Sequence, residues 1–471
     1  MRHLLVVSYH FPPAGGVPVR RILRFIRHLP GFGWRCSVLT ADRPYDPFHP
    51  EDREGLDRLP ELSRILRPPA RSAPERVAAL GYGALASLRG RLPGARDRAA
   101  SLDDIAAGGF RRWINHTLFF PDPKRWWIPG AVAAGRRLFE EDPFDAILAT
   151  GYPWSSFVVA HRLGHAVGRP VILDYRDAWS DNPRRQWTGR RHEALEGRLL
   201  RASRLVIAAT HGIRRDLLER SPSTRVETLE TGFDPAEYPA RDPEIACPGR
   251  VLVVYTGTFN DPLPPSSLDR SPYHLLRALA RLPAAARERI RLRLVGRIPG
   301  SYRRFVQQLG LEGVVECLPP VSHARALQHQ LAADVVLLVL GRDPEGSAGI
   351  LTGKLLEYIG AGRPIWALAP ESEASRLIRR EALGWVDPPD DEEAIAGRLR
   401  ELARGGVRPV PQRAERFAAA PRARQLAAWL DEIAGAPTAR ESAPILSPAP
   451  SVETDSERPR PEDGVQAAPG A

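Results

Sequence analysis

Apolar residues along this chain fall into short runs separated by segments with helical spacing. The first run, Arg2 to Ser8, ends in the loop Tyr9-His10-Phe11-Pro12-Pro13-Ala14-Gly15-Gly16. Beyond it Val19, Ile22, Leu23, Ile26 and Leu29 recur at helical intervals with Arg20, Arg21, Arg24 and Arg27 interleaved, and Arg35–Thr40 reads as the next strand. Comparable runs at Ala146–Ala149, Val171–Asp174, Leu205–Ala208 and Val226–Leu229 lie far enough apart for crossover helices, which predicts a parallel, doubly wound sheet. The Pro- and charge-rich segment YPARDPEIACPGR then interrupts the pattern. Alternation resumes at Val251–Tyr255 and continues through Leu292–Val295, Val314–Cys317, Val335–Leu340, Pro364–Leu368 and Trp385–Val386. The reading is α/β, with two tandem Rossmann-like domains facing across a cleft: residues 1–240 and 249–405, then a C-terminal helix over 411–434. Residues 436–471 are rich in Pro, Ser and charge without periodicity, and are expected to be disordered.

Residues 60–128 fit this alternation poorly. They combine many Arg with Phe110, Trp113, Phe119, Phe120, Trp126 and Trp127, so they read as an amphipathic insertion, lying either on a membrane interface or packed on the first sheet. The formal charge of +11 is concentrated in the same half: residues 1–250 hold 39 Lys/Arg against 29 Asp/Glu. That excess suits an anionic membrane surface or an anionic lipid-linked substrate, or it reflects a compositional preference for Arg. The Arg is dispersed and no groove-binding motif is visible, so nucleic acid is not an expected partner. No apolar run reaches the ~18 residues of a membrane span, and the N-terminal run is too short for a signal peptide. A cytoplasmic protein is expected. Cys36, Cys247 and Cys317 are too far apart for a Cys-x-x-Cys pattern and read as core thiols.

Parallel sheets bind ligands beyond the carboxyl ends of their strands, so candidate residues should follow strands. Gly15 and Gly16 do so, and let backbone N–H groups approach an anion at the next helix N-terminus; the alternative is an ordinary turn. The richest segment runs from Gly346 to Pro364, a small-residue loop entering a helix. Its amides and Lys354 suit a diphosphate, and Glu357 suits the two hydroxyls of a ribose. Lys124 and Lys354 are the only lysines in the chain, so a compact ammonium at 354 stands out against the prevailing Arg. At the exit of the run Val171–Asp174, the segment Asp174-Tyr175-Arg176-Asp177 offers Arg176 for phosphate or a leaving group, with Asp174 or Asp177 for sugar hydroxyls or to orient Arg176. The alternative is an internal Arg–Asp pair. His211 reads as a cleft hydrogen-bond donor or, more simply, as a helix-capping or surface His. No metal-ligand spacing is evident, so no metal or other cofactor is expected.

In their order and spacing, VVSYHFPPAGGVPVRR, VILDYRDAWSDNP, VETLETGFDP, VVYTGTF, LRLVG, GKLLEYIGAGRPI and GWVDPPDDEEAIAGRL resemble the glycosyltransferases of family 4 (group 1), with the two-Rossmann GT-B fold, over residues 1–430. That resemblance implies that the loop matching Gly15-Gly16 lies near the donor phosphates and that Glu357 binds the donor ribose. It also implies a metal-independent, retaining transfer of a hexose-type sugar from a nucleoside diphosphate to a glycan or lipid-linked acceptor, in cell-surface polysaccharide biosynthesis. Three departures stand out. The family's second acidic residue, eight positions before the Glu, is Gly349 here, close to Thr352 in the donor loop. An Arg and a Lys that usually follow the first strand of the second domain are replaced by Thr256-Gly257-Thr258, leaving Arg297 as a substitute. A common His is Arg176. The proposed set is therefore Arg176 and Asp177 for catalysis, and Gly15, Gly16, Arg297, Gly349, Thr352, Lys354 and Glu357 for the donor. Two alternatives of the same fold are a nucleotide-sugar epimerase and a non-catalytic scaffold in envelope assembly.

Overall fold

The computed structural model describes residues 1–42, 62–70, 119–180, 189–260, 270–341, 353–405 and 415–435. The tail 436–471 and the loop Gly346–Thr352 lie outside them.

In the first part of the chain, β1 (Arg2–Val7) leads through α1 (Val17–His28) to β2 (Trp34–Leu39) and a short β3 (Arg64–Leu66). Then come α2 (Ile128–Glu141), β4 (Ala146–Gly151), α3 (Ser155–Val167), β5 (Val171–Tyr175), α4 (Arg190–Ala202), β6 (Leu205–Ala208), α5 (His211–Arg220) and β7 (Val226–Thr228). The seven strands lie parallel in the order β3-β2-β1-β4-β5-β6-β7. Both faces are covered, which is why the central strands are apolar in continuous runs rather than alternately. One face is packed by α2, α3 and α4 around Trp127, Trp154 and Trp179; the other carries Ile22, Leu23 and Ile26 of α1.

The second part holds β8 (Val251–Thr258), α6 (Tyr273–Ala280), α7 (Ala284–Glu288), β9 (Ile290–Arg297), α8 (Gly300–Gln308), β10 (Val315–Leu318), α9 (His323–Ala332) and β11 (Val335–Val339). It continues through α10 (Gly353–Ala361), β12 (Ile365–Leu368), α11 (Glu373–Arg380), β13 (Gly384–Asp387) and α12 (Glu392–Ala403). Its six parallel strands are ordered β10-β9-β8-β11-β12-β13 and are sandwiched in the same way.

Three features depart from the sequence pattern. The strand β3 has no readable periodicity because it is a three-residue edge strand with Arg64 and Ile65 exposed. The last helix, α13 (Ala419–Gly435), follows a 3-10 turn at Glu415–Phe417 and an isolated bridge from Ala418 to Phe233: Phe417 O accepts from Phe233 N (2.9 Å) and Phe233 O from Ala419 N (2.7 Å), which ties the start of the helix to the connection between the sheets. That helix also turns back, burying Leu426, Ala427, Leu430 and Ile433 against the first sheet beside α1. Of the amphipathic segment, Phe120 and Trp127 are buried against the first sheet and Phe119 is buried beside them in the chain; Phe110 and Trp113 lie outside the described residues. Cys36 is a core thiol, pushed up to about 12 by burial, whereas Cys247 and Cys317 are half-buried.

Candidate functional site

Strand order reverses between β1 and β4 in the first sheet and between β8 and β11 in the second, and such reversals leave a crevice at the strands' carboxyl ends. Gly15 and Gly16 occupy the first. Gly16, at φ +100°, is the N-cap of α1 and, having no side chain, places no capping oxygen of its own at that helix terminus.

At the second reversal α10 carries Lys354 and Glu357. The Lys354 ammonium donates to Tyr255 Oη at 2.9 Å and lies 4.6 Å from the centre of that ring. Tyr255 is itself held by donating to Thr258 O at 2.8 Å and by stacking on Phe259. The ammonium has room because position 257 is glycine: a Cβ there would stand 2.0 Å from Lys354 Nζ, and the backbone is at φ +144°. Gly296, paired with Gly257 in the ladder, is likewise required, since its Cβ would stand 2.1 Å from Gly257 O. The backbone of Arg270, whose charge acts on Lys354, is fixed by two bonds, Asn260 N to Arg270 O (3.0 Å) and Arg270 N to Asn260 Oδ1 (3.2 Å). Burial, and then the charge of Arg270, lower the Lys354 ammonium to about 7.

The Glu357 carboxylate is buried, and its Oε1 accepts from Arg20 Nη1 at 2.7 Å and meets His323 Nε2 at 3.3 Å. Burial opposes ionisation, but Arg20, His323 and Arg24 overcome it and hold the carboxyl far below its ordinary range. Arg20 belongs to α1, so this bond joins the two sheets' layers. Further along α1, Arg24 donates to both oxygens of Glu237 (3.0 and 2.6 Å) and to Gly232 O (2.5 Å), and Arg27 donates to Asp234 (2.5 Å). Tyr238 Oη in turn donates to the Glu357 carbonyl at 2.7 Å. Positions 20, 24 and 27 thus form one basic stripe gripping the connection and α10. Arg21 points instead into the first unit, where its side chain and that of Asp174 are 1% and 0% exposed; three bonds of 2.7–3.1 Å join them, and Thr150 Oγ1 donates to the same carboxylate at 2.9 Å.

The sequence-derived set is therefore distributed over the two crevices. Lys354 and Glu357 come together on one turn of α10, and Arg20 follows closely on the Gly15-Gly16 loop. Arg176 lies at the end of β5 and donates to Gly151 O (2.9 Å) and Tyr152 O (2.6 Å); Asp174 does not orient it, being committed to Arg21, and Asp177 is half-buried next along the chain. Arg297 is exposed at the end of β9, opposite Thr258. Gly349 and Thr352 lie outside the described residues. His211 is the exposed first residue of α5, 3.3 Å from Thr228 Oγ1, while Thr210 is the cap. The sequence reading does not place Arg20, Arg24, His323, Tyr255 or Arg270 in the site: the basic spacing of α1 bears on Arg20 and Arg24 alone, and no pattern along the chain marks the other three. Among the described residues no group of three His, Cys, Asp or Glu is placed to hold a metal ion, and no helix is long and apolar enough to cross a membrane.

The family described as Glycosyltransferase Family 4 matches residues 94–237, which bears out the resemblance in the sequence motifs. No curated protein sequence matches the chain significantly. Among solved structures, Anabaena HepE in complex with UDP-glucose is similar over 92% of this chain and 100% of its own, with a TM-score of 0.57 and 15% identity. Sucrose-phosphate synthase from Thermosynechococcus elongatus covers 92% of this chain and 96% of its own at TM-score 0.54 and 17% identity. The UDP-GlcNAc 2-epimerase from Neisseria meningitidis bound to UDP-GlcNAc covers 92% and 100% at TM-score 0.51 and 12% identity. The fold is GT-B, and with the family match it supports a glycosyltransferase.

Proposed function

We propose that this chain transfers a hexose-type sugar from a nucleoside diphosphate donor, with uridine diphosphate the first candidate, to a glycan or lipid-linked acceptor. The carrying observation is on α10: an ammonium bonded to a phenol rather than to a carboxylate, three residues from a carboxylate held ionised. Three residues of helix separate them by about 4.5 Å along the axis, a spacing that suits the phosphates and the ribose of one nucleotide. Lys354 and Arg270 stabilise the charge that develops on the departing diphosphate, and a desolvated cleft strengthens that effect. Gly15, Gly16 and the start of α1 add backbone donors from the first crevice, and Gly349, Thr352 and Arg297 complete the donor set. Arg176, braced on two carbonyls, and Asp177 act on the acceptor side. The donor's uracil base is suggested by HepE and the epimerase, which bind UDP-sugars. Retention of configuration, a role in cell-surface polysaccharide and a peripheral position at the inner membrane face follow from the family resemblance and the basic first half.

A thermal-shift titration with UDP, GDP, ADP and CDP tests this reading, because a ligand that binds only the native state raises its melting temperature. One nucleotide should stabilise the wild type, and both Lys354→Met and Glu357→Gln should lose the shift. No shift with any of the four would leave the scaffold reading in its place. Conversion of a nucleotide sugar to its epimer with no acceptor present would favour the epimerase.

A further inference from the structure

Several groups outside the proposed donor set touch it, and one of them comes from the other half of the molecule. A Glu carboxylate turns about a broad, roughly two-fold terminal torsion, so burial alone does not decide which oxygen faces a ligand. Here Oε1 of Glu357 is held from two directions: by Arg20 Nη1 of α1 at 2.7 Å, and by His323 Nε2 at the start of α9 at 3.3 Å. Neither bond uses Oε2. The peptide of the same residue is fixed by Tyr238 Oη on its carbonyl. Arg20 is in turn set by its helix, because Arg24 and Arg27, one and two turns on, are anchored on Glu237, Gly232 and Asp234 of the connection that leads to Tyr238.

We propose that Arg20 is a positioning residue for donor recognition: a guanidinium supplied by the first unit fixes Oε1 of Glu357 and presents Oε2 to the ribose hydroxyls. This rests on the reading of Glu357 as the ribose-binding carboxylate. It adds a dependence that the second unit alone does not have. Discrimination between ribose and deoxyribose, made entirely by α10, is set by a residue more than three hundred positions away in the chain, and it is complete only while α1 lies against α10. A bond that merely holds the two units together would alter stability and would weaken every nucleotide alike. A positioning bond alters the preference between sugars.

The test is calorimetric titration of the full chain with UDP and with 2′-deoxy-UDP, for the wild type, Arg20→Ala, Arg20→Lys and Glu357→Gln. A hydroxyl bonded to a carboxylate should give the wild type a preference for UDP of about tenfold or more. In Arg20→Ala that ratio should fall towards one, chiefly through loss of UDP affinity, and Arg20→Lys should restore part of it. An unchanged ratio in Arg20→Ala overturns the proposal and leaves Glu357 as the ribose ligand. Tighter UDP binding in Arg20→Ala also overturns it, since Arg20 would then be competing with the ribose. If Arg20→Ala does not fold, Arg20→Lys and Arg20→Gln carry the same comparison. A wild type with no sugar preference, or a Glu357→Gln variant that keeps the full preference, refutes the assignment of Glu357 itself, and the role of Arg20 with it.

Discussion

Lys354 leads to a measurable proton balance. Its ammonium sits near 7 because it is removed from water and faces Arg270, so at pH 7 about half of the free sites are uncharged. A diphosphate beside it stabilises the charged form and raises that pKa, so binding takes up protons. The sign follows from linkage: affinity for UDP is greatest below pH 7 and falls by up to about tenfold per pH unit above it, until the pKa of the bound state is reached. Replacing Lys354 by Met keeps the length of the side chain and deletes the charge. A charge-assisted bond contributes about 1.5–3 kcal/mol, so Lys354→Met should bind UDP roughly 10- to 150-fold more weakly at pH 6. The two proteins should converge by about pH 10, where the wild-type lysine is neutral in both states. Titration calorimetry at pH 7 in two buffers of different ionisation enthalpy reads the protons directly. The wild type should take up about half a proton more than Lys354→Met, and the difference isolates the lysine because the nucleotide's own ionisation is common to both. Equal proton uptake with parallel pH profiles would refute the assignment of Lys354 to the diphosphate.

Other expectations concern the scaffold that presents these groups. Asp174→Ala leaves the buried Arg21 guanidinium uncompensated and should cost about 3–5 kcal/mol by urea unfolding, whereas the double change Arg21→Met with Asp174→Leu should stay close to the wild type. Gly257→Ala places a Cβ where the Lys354 ammonium stands and forces a side chain into a backbone region that costs about 1–3 kcal/mol, so nucleotide affinity should fall further than the melting temperature alone implies. Burial lowers His161 to about 4 from 6.5. The unfolded chain therefore binds more protons between those values, and stability, complete above pH 6.5, should decline towards pH 4 by up to about 1.4 kcal/mol per unit. His161→Leu should flatten that slope in urea titrations at pH 4.5 and 7.

The alternation of apolar runs and helical spacing was enough to determine the two parallel sheets, because strands covered on both faces are apolar throughout and announce themselves without any partner. The same local logic put Lys354 and Glu357 one turn apart on a single helix. The tertiary structure decided everything that depends on which residues meet. The strand β3 is too short and too exposed to carry a period, and α13 shows an apolar face but not the sheet it returns to. Charged partners are the extreme case: Arg20 and Glu357 are 337 positions apart, and Asp174 pairs with Arg21 rather than with Arg176 two residues away. Periodicity records which side of an element is buried, whereas an ion pair is set by distance in the folded molecule, and no spacing along the chain encodes that.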